Sequence, residues 1–510
     1  MEFEVVDFWL LVVGVVSLLL YLKWFIPNLK TSLPPGPPNW PIVGSLFYLS
    51  KCPHLALANL AKKYGPIMYL RLGLVDHVIL SNSEMAMELF KVHDAEFASR
   101  PKMIVGKYLG LDWSNITFSN YGDHWRLLRK IAATELLTIA RINSFEPRRQ
   151  EELGCMVEKI VEHSQGGKPV DMKQIFHELT RNNICRMLFG TRCETAKEFT
   201  GTDFDEFFNS VSELIDSMAE FNLGDLIPFL KPFDLQGLEK KMKHAKDKME
   251  HHVASILKEY KKGNKVVANS NVKDFVEILL NLDEKLDDAT IKSIMVDMLA
   301  GGGDTTTVAL EWALAEVIHN PEIMNRAQEE LDKVVGTNRR VHESDLPNLP
   351  YLHTIVKETF RLHPPGALTL GHLNVKDAQL LHYKIPANTN VLVNIWAINR
   401  DPKAWKKPLE FIPDRFLNNN ISLSGSNYNL LPFGSGRRRC PGMDLAQHVV
   451  HCSLAALIQT FDWSPQLGVK PKDMNMMEDY IGGFVVKANP LIVIAKPRLP
   501  PQIYKHWMGN

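Results

Sequence analysis

Between Phe8 and Leu22 the chain carries no charged side chain, and with Lys23 snorkelling the apolar run continues to Ile26. At ~1.5 Å per residue such a helix covers about 28 Å, one hydrocarbon core. Glu2, Glu4 and Asp7 precede the run and Lys23 and Lys30 follow it, which is the reverse of a cleaved signal peptide and leaves the body of the chain on the cytosolic side. Residues 1–30 are therefore expected to form a single-pass anchor. Prolines at 34, 35, 37, 38 and 41 fix φ and remove backbone donors, so residues 31–41 read as a stiff hinge. Residues 67–73 and 77–80 read as a short strand pair. Beyond them the pattern is mostly helical. Residues 221–230 are apolar and interrupted by Gly224 and Pro228, which suits a buried loop or one that dips into a bilayer. Residues 240–248 form a lysine-rich, solvated helical face, and residues 263–271 an exposed loop. A long helix is predicted over 288–319, ending before Pro321. Gly301, Gly302 and Gly303 at its middle cost about 2–3 kcal/mol relative to alanine, which points to a close approach or a local distortion there. Residues 382–394 read as strand, turn, strand.

This pattern predicts a mostly α fold with small β-sheets. At 510 residues the chain exceeds the size at which cores usually split, yet no long linker divides it, so residues 42–510 are expected to form one domain. Lysine and arginine number 58 against 58 aspartates and glutamates, which argues against a nucleic-acid partner. The six cysteines, at 52, 155, 185, 193, 440 and 452, are too scattered for a disulfide framework and fit a reducing compartment.

One cysteine stands apart. Phe433-Gly434-Ser435-Gly436-Arg437-Arg438-Arg439-Cys440-Pro441-Gly442 places three arginines before Cys440, favouring its thiolate, the form that binds metal. The nearest cysteine, Cys452, lies beyond zinc-ligand spacing, whereas a single thiolate suits haem iron. The segment lacks the spacing of a P-loop or of GxGxxG, so an anion loop is the weaker reading.

Phe433, Gly436, Arg438, Cys440 and Gly442 reproduce the motif FxxGxRxCxG, and the chain thereby resembles the cytochrome P450 family of haem-thiolate monooxygenases. Gly301 to Thr306 is similar to that family's [AG]Gx[DE]T[TS] helix motif, Trp125 and Arg129 to its WxxxR, and Glu358 with Arg361 to its ExxR. Residues 413–416 are similar to its PERF, with Asp414 where glutamate is usual and Arg415 retained. The resemblance implies the P450 fold with an N-terminal transmembrane helix and haem b ligated by Cys440. Trp125, Arg129, Arg438 and, less directly, His372 would meet the propionates. Asp304 and Thr305 would supply protons where O₂ is reduced. Gly302, Ala367, Leu368 and Ile481 would belong to the substrate site, whose walls at 103–105, 367–370 and 481–483 look apolar. One carboxylate, Glu358, would hold Arg361 and Arg415 behind the haem.

No flavin or nicotinamide fingerprint is present, so NADPH electrons would come from a separate NADPH–cytochrome P450 reductase. Arg437, Arg439 and Lys130 are candidates for its docking patch. The expected setting is the endoplasmic reticulum membrane, in contact with lipid. The expected reaction is hydroxylation of a small apolar molecule, a plant phenolic or flavonoid first and a terpenoid or alkaloid second. A haem-binding electron carrier is the alternative class, and it needs no Asp304–Thr305 pair; a haem-thiolate isomerase or dehydratase usually lacks that pair.

Overall fold

The computed structural model describes Gly14, residues 33–263 and residues 272–507. Apart from Gly14, the expected anchor lies outside the described residues, as does 264–271 of the expected exposed loop. Among the described residues no helix is long and apolar enough to cross a membrane. The helices that position the site are α1 (Asp123–Ile131), α2 (Met172–Phe189), α3 (Cys193–Thr200), α4 (Phe204–Ala219), α5 (Leu238–Lys261), α6 (Asp288–Gly302), α7 (Asp304–His319), α8 (Pro350–Leu362) and α9 (Met443–Thr460). Their ends follow local chemistry. The Asp171 side chain accepts from the Lys173 and Gln174 amides to start α2, and Gly190 at φ 74° ends it. Asp287 caps α6 in the same way, through the Thr290 amide.

The helix expected over 288–319 is present but broken. Gly303, at φ −86° and ψ −87°, separates α6 from α7. The two halves serve two cores. Leu310, Ala313, Leu314 and Val317 of α7 pack with Ile175 and Phe176 of α2, Leu352 and Ile355 of α8, and Leu454 and Leu457 of α9. Ile291, Ile294 and Leu299 of α6 pack with Phe207 and Val211 of α4 and with Met242 and Val253 of α5. The position of the break is thus fixed by packing on both sides of it along the chain. On α5, Lys240, Lys241 and Lys243 are exposed, as the charge pattern predicts.

The sheets are small. Their strands include β1 (Ile67–Leu72), β2 (Val75–Leu80), β3 (His372–Leu373), β4 (Ala378–Leu380), β5 (Tyr383–Ile385), β6 (Asn390–Val393), β7 (Glu478–Ile481) and β8 (Phe484–Lys487). One sheet runs β1-β2-β6-β3, with β2 and β6 parallel and His77 opposite Asn390. The strand, turn, strand pattern of 382–394 is realised as β5 and β6, which lie in different sheets because β5 pairs with β4. The hairpin β7–β8 turns through Gly482 and Gly483, both at positive φ, 60° and 87°.

Candidate active site

The Cys440 loop runs ahead of α9. Gly434 and Gly436 both take φ 68°, and a Cβ on Gly436 would come within 2.5 Å of the Asp94 carboxylate, so both the backbone angle and the space demand glycine. The Cys440 amide donates to the Phe433 carbonyl (2.9 Å), and the Phe433 ring packs on Phe360 of α8 at 5.0 Å. The three arginines do not surround the sulfur as their sequence position suggests. Arg437 pairs with Asp94 (2.8 Å) and reaches the Tyr121 hydroxyl. Arg438 donates to the carbonyls of Ala98, Ile116 and Ser119, and Arg439 to that of Ser424. Burial therefore dominates and pushes the Cys440 thiol up, against the Gly442 amide and the charges of Arg129 and Arg439. In the protein alone the thiol form is favoured, and the thiolate awaits a metal that displaces the proton.

Cys440 faces a cavity of about 580 Å³, enclosed by α1, α2, α4, α6, α7 and the 103–118 and 365–372 segments. Three guanidinium groups line one end, those of Arg100, Arg129 and Arg438. The Arg100 guanidinium donates to the carbonyls of Thr117, Leu370 and Gly371. The Arg129 guanidinium has no hydrogen-bond or ion-pair partner among the described residues. Burial, together with the charges of Arg100 and Arg129, pulls Arg438 down to about 8, and burial alone pulls Arg100 to about 10. Such crowded, unmatched cations are costly unless an anion joins them. A flat macrocycle bearing two carboxylates beside a single thiol satisfies this donor set, so the residues fit haem.

Two expected propionate partners are otherwise engaged. The Trp125 indole N–H donates to the Ile116 carbonyl at 3.1 Å, and its face lies 4.6 Å from the Arg438 guanidinium. His372 bonds through Nδ1 to the Phe97 carbonyl (3.2 Å), and burial holds its pKa well below the usual histidine value, so it brings no positive charge. Arg100, in the sequence Ser99-Arg100-Pro101, was not anticipated. It sits in a loop, without helical spacing to flag it.

The residues flanking the α6–α7 break also line the cavity. A Cβ on Gly302 would meet Ile184 at 3.1 Å, whereas one on Gly301 would meet nothing within 4 Å. Gly301 thus faces open space, while Gly302 makes a close approach to α2 of the kind expected of the glycine run. The Thr305 hydroxyl donates to the Gly301 carbonyl (2.8 Å) and lines the cavity. Asp304 is not part of that lining. It stands 3.3 Å from His177 Nδ1 and accepts from the Ser212 hydroxyl at 3.2 Å. Burial works to raise its pKa, but His177, Arg181 and Ser212 together outweigh it and hold the carboxyl below its usual range.

Among the expected walls, Met103, Ile104, Val105, Leu368, Thr369 and Leu370 line the cavity. Ala367 does not. It is fully buried elsewhere, and its carbonyl accepts from the Trp396 amide. Ile481 does not either, because strand alternation turns Tyr480 inward and leaves Ile481 exposed. Asp297 of α6 was also unforeseen. It accepts from Asn115 Nδ2, the Ile116 amide and the Thr117 hydroxyl at 2.6–2.8 Å, tying the 115–117 loop to the helix. Burial raises it to about 7 despite those donors.

Behind the cavity, Glu358 is fully buried and bonds Arg361 twice (2.7 and 2.8 Å), Arg415 at 3.0 Å and the Ile412 amide at 2.8 Å. Asp414 points outward to Arg326 (2.7 Å), so the departure from glutamate leaves the network intact.

A buried thiol, unmatched guanidinium groups and a glycine-broken helix lining one cavity are the parts of a haem-thiolate oxygenase. The chain matches the family model for cytochrome P450 over residues 34–495 and belongs to that family. It is 39% identical to a flavonoid 3'-monooxygenase of Arabidopsis thaliana over 92% of this chain and 93% of that protein. It is 38% identical both to a flavonoid 3'-monooxygenase of Petunia hybrida (94% and 95% covered) and to a 3,9-dihydroxypterocarpan 6A-monooxygenase of Glycine max (94% and 96%). The protein is a cytochrome P450 monooxygenase whose cofactor is haem and whose electrons come from a reductase. Bound haem supplies the seat for O₂ and its reductive activation.

Proposed function

We propose that this enzyme hydroxylates a neutral, flat phenolic or flavonoid, with Cys440 as iron ligand and with Arg100, Arg129 and Arg438 meeting the propionates. The observation that carries the substrate reading is the chemistry of the remaining cavity wall. It is apolar at Met103, Ile104, Val105, Leu368 and Phe484, and of the carboxylates that line it, Asp225 and Asp297 are already bonded to loop donors and Glu220 is paired with Lys241. An anionic substrate would lose its hydration there and meet three acids instead of a cation. The names of the relatives, flavonoid monooxygenases among them, agree with a neutral polyphenol. Binding difference spectra across flavonoids, simple phenolics, terpenoids and fatty acids test this. Spectral shifts with the first two groups are expected. A response confined to fatty acids, or to terpenoids, would overturn it.

Thr305 and Asp304 divide the proton work. Thr305 holds its hydroxyl at the cavity through Gly301, while Asp304 faces His177 on the outer side of the helix and delivers protons inward from there. Thr305→Ala is expected to leave the Soret spectrum unchanged, to lower product per NADPH several-fold and to raise hydrogen peroxide correspondingly. Unchanged coupling in that variant would remove Thr305 from the pathway.

Residues 1–30 anchor the enzyme in the endoplasmic reticulum membrane, residues 31–41 are the hinge, and 42–510 form one cytosolic catalytic unit. Trp40, Ile42 and Phe47 are exposed, as are Phe229, Phe233 and Leu235, and the two segments that carry them are joined through β1–β2, where the Gly73 amide bonds to the Val43 carbonyl and the Leu74 amide to that of Leu226. Of the 221–230 stretch, Ile227 turns inward and Phe221 lines the cavity, while Phe229 faces out, a surface suited to lipid. Deleting residues 1–30 is expected to release most of the protein from membranes with haem content unchanged, the apolar patch accounting for what stays bound. Fractionation and haem assay check this. Lys130, which is exposed, and Arg439 serve reductase docking; Arg437 is already neutralised by Asp94.

A further inference from the structure

We infer that Cys185 and Cys193 form a reversible disulfide when the protein meets hydrogen peroxide, an oxidation site linking the end of α2 to the start of α3. Their sulfurs lie 2.7 Å apart, between ordinary non-bonded contact and the ~2.05 Å of a disulfide. The approach is imposed by the turn between the helices. Gly190 ends α2 in the left-handed region, the Cys193 amide donates to Asn182 Oδ1 at 3.1 Å, and Arg192 grips the Glu152 carboxylate at 2.9 Å. The same carboxylate receives Arg186 at 2.5 Å. With both flanks fixed, bringing the sulfurs into bonding distance requires little backbone movement.

The two thiols differ in access. Cys185 is fully buried and burial pushes its thiol well up, whereas Cys193 keeps part of its surface in solvent. Cys193 is therefore the sulfur that meets the oxidant. Its thiolate attacks one peroxide oxygen, the O–O bond breaks, and hydroxide leaves to give a sulfenic acid. The Cys185 sulfur then attacks the Cys193 sulfur, its proton passing to the departing hydroxyl, which leaves as water. In sum, two thiols and one hydrogen peroxide give one disulfide and two waters, and a dithiol reductant reverses the bond. No other two cysteines show a recorded sulfur contact among the described residues.

The bond would restrain the cavity. α2 contributes Ile184 and Met187 to its wall, and α4, which follows α3, contributes Ile215 and Met218. Tying α3 to α2 limits how far α4 can swing from the cavity mouth.

Trypsin cuts after Arg181, Arg186, Arg192 and Lys197, placing the two cysteines in separate peptides, 182–186 and 193–197. Full-length haem-loaded protein is titrated with hydrogen peroxide, free thiols are alkylated, and peptides are mapped without reduction. A linked 182–186/193–197 pair is expected to accumulate with peroxide, to vanish with dithiothreitol and to be absent from Cys193→Ser. Hydrogen exchange across 190–203 should slow in the oxidised form. If both peptides stay alkylated while Cys52 and Cys155 oxidise, or if Cys185 bonds to a different cysteine, the inference fails. The wild-type map decides this whether or not the variant folds.

Discussion

Replacing Cys440 with alanine is expected to abolish the strongly red-shifted Soret band of the ferrous CO complex and, with it, all NADPH-dependent product. The loop offers iron no second donor. The Cys440 sulfur lines the cavity, while Cys452 is buried on α9 beside Glu343 and Arg149 and does not line it. The physical basis is electronic as well as structural, since a Cys440 thiolate holding haem iron would supply the electron donation that favours O–O cleavage. The variant should still fold, because the loop is held by the Arg437–Asp94 pair, by Arg438 on three carbonyls and by Phe433 on Phe360. A CO complex of Cys440→Ala that keeps the thiolate spectrum would reassign the ligand.

The second large effect lies at Glu358. Its carboxylate is fully buried and is the partner of two arginines, one of which, Arg361, is itself fully buried. Glu358→Ala leaves that guanidinium with neutral carbonyls of Asn399, Pro408 and Glu410 as its acceptors. Breaking a buried pair by removing one partner costs about 3–5 kcal/mol, a large part of the ~5–15 kcal/mol that holds a domain folded. Little or no haem-loaded protein is expected on purification, together with a marked fall in thermal stability. Asp414→Ala provides the contrast. Its pair with Arg326 is half exposed, and such pairs contribute about 0–1 kcal/mol, so haem content should be near that of the wild type. Equal damage from both substitutions would mean that burial does not set the hierarchy.

These two positions are also the ones most legible in the sequence. Glu358 and Arg361 are three residues apart on one helix and the Cys440 loop is contiguous, so local spacing already brings their groups together. The break at Gly303 was foreseeable for the same reason, since three adjacent glycines are costly in any helix. What spacing cannot convey is where a side chain goes once distant segments meet. Trp125 and Arg129 share a helical face, yet the indole is taken by the Ile116 carbonyl while the guanidinium is left for the cavity. Asp304 and Thr305 are neighbours whose side chains leave the helix in different directions, one toward α2 and α4, the other into the cavity. Arg100 and Asp297 gain their surroundings from partners far along the chain. Ala367 and Ile481 fail as wall residues because an apolar run does not say which of its members turns inward.

The proposed reaction inserts oxygen into a neutral phenolic, using electrons delivered by a reductase. The most direct measurement reconstitutes the full-length enzyme with haem and NADPH–cytochrome P450 reductase and supplies a flavonoid under isotopically labelled O₂ in unlabelled water. The predicted product carries one labelled oxygen atom and requires NADPH and Cys440. Product carrying oxygen from water, or product formed without reductase, would contradict it.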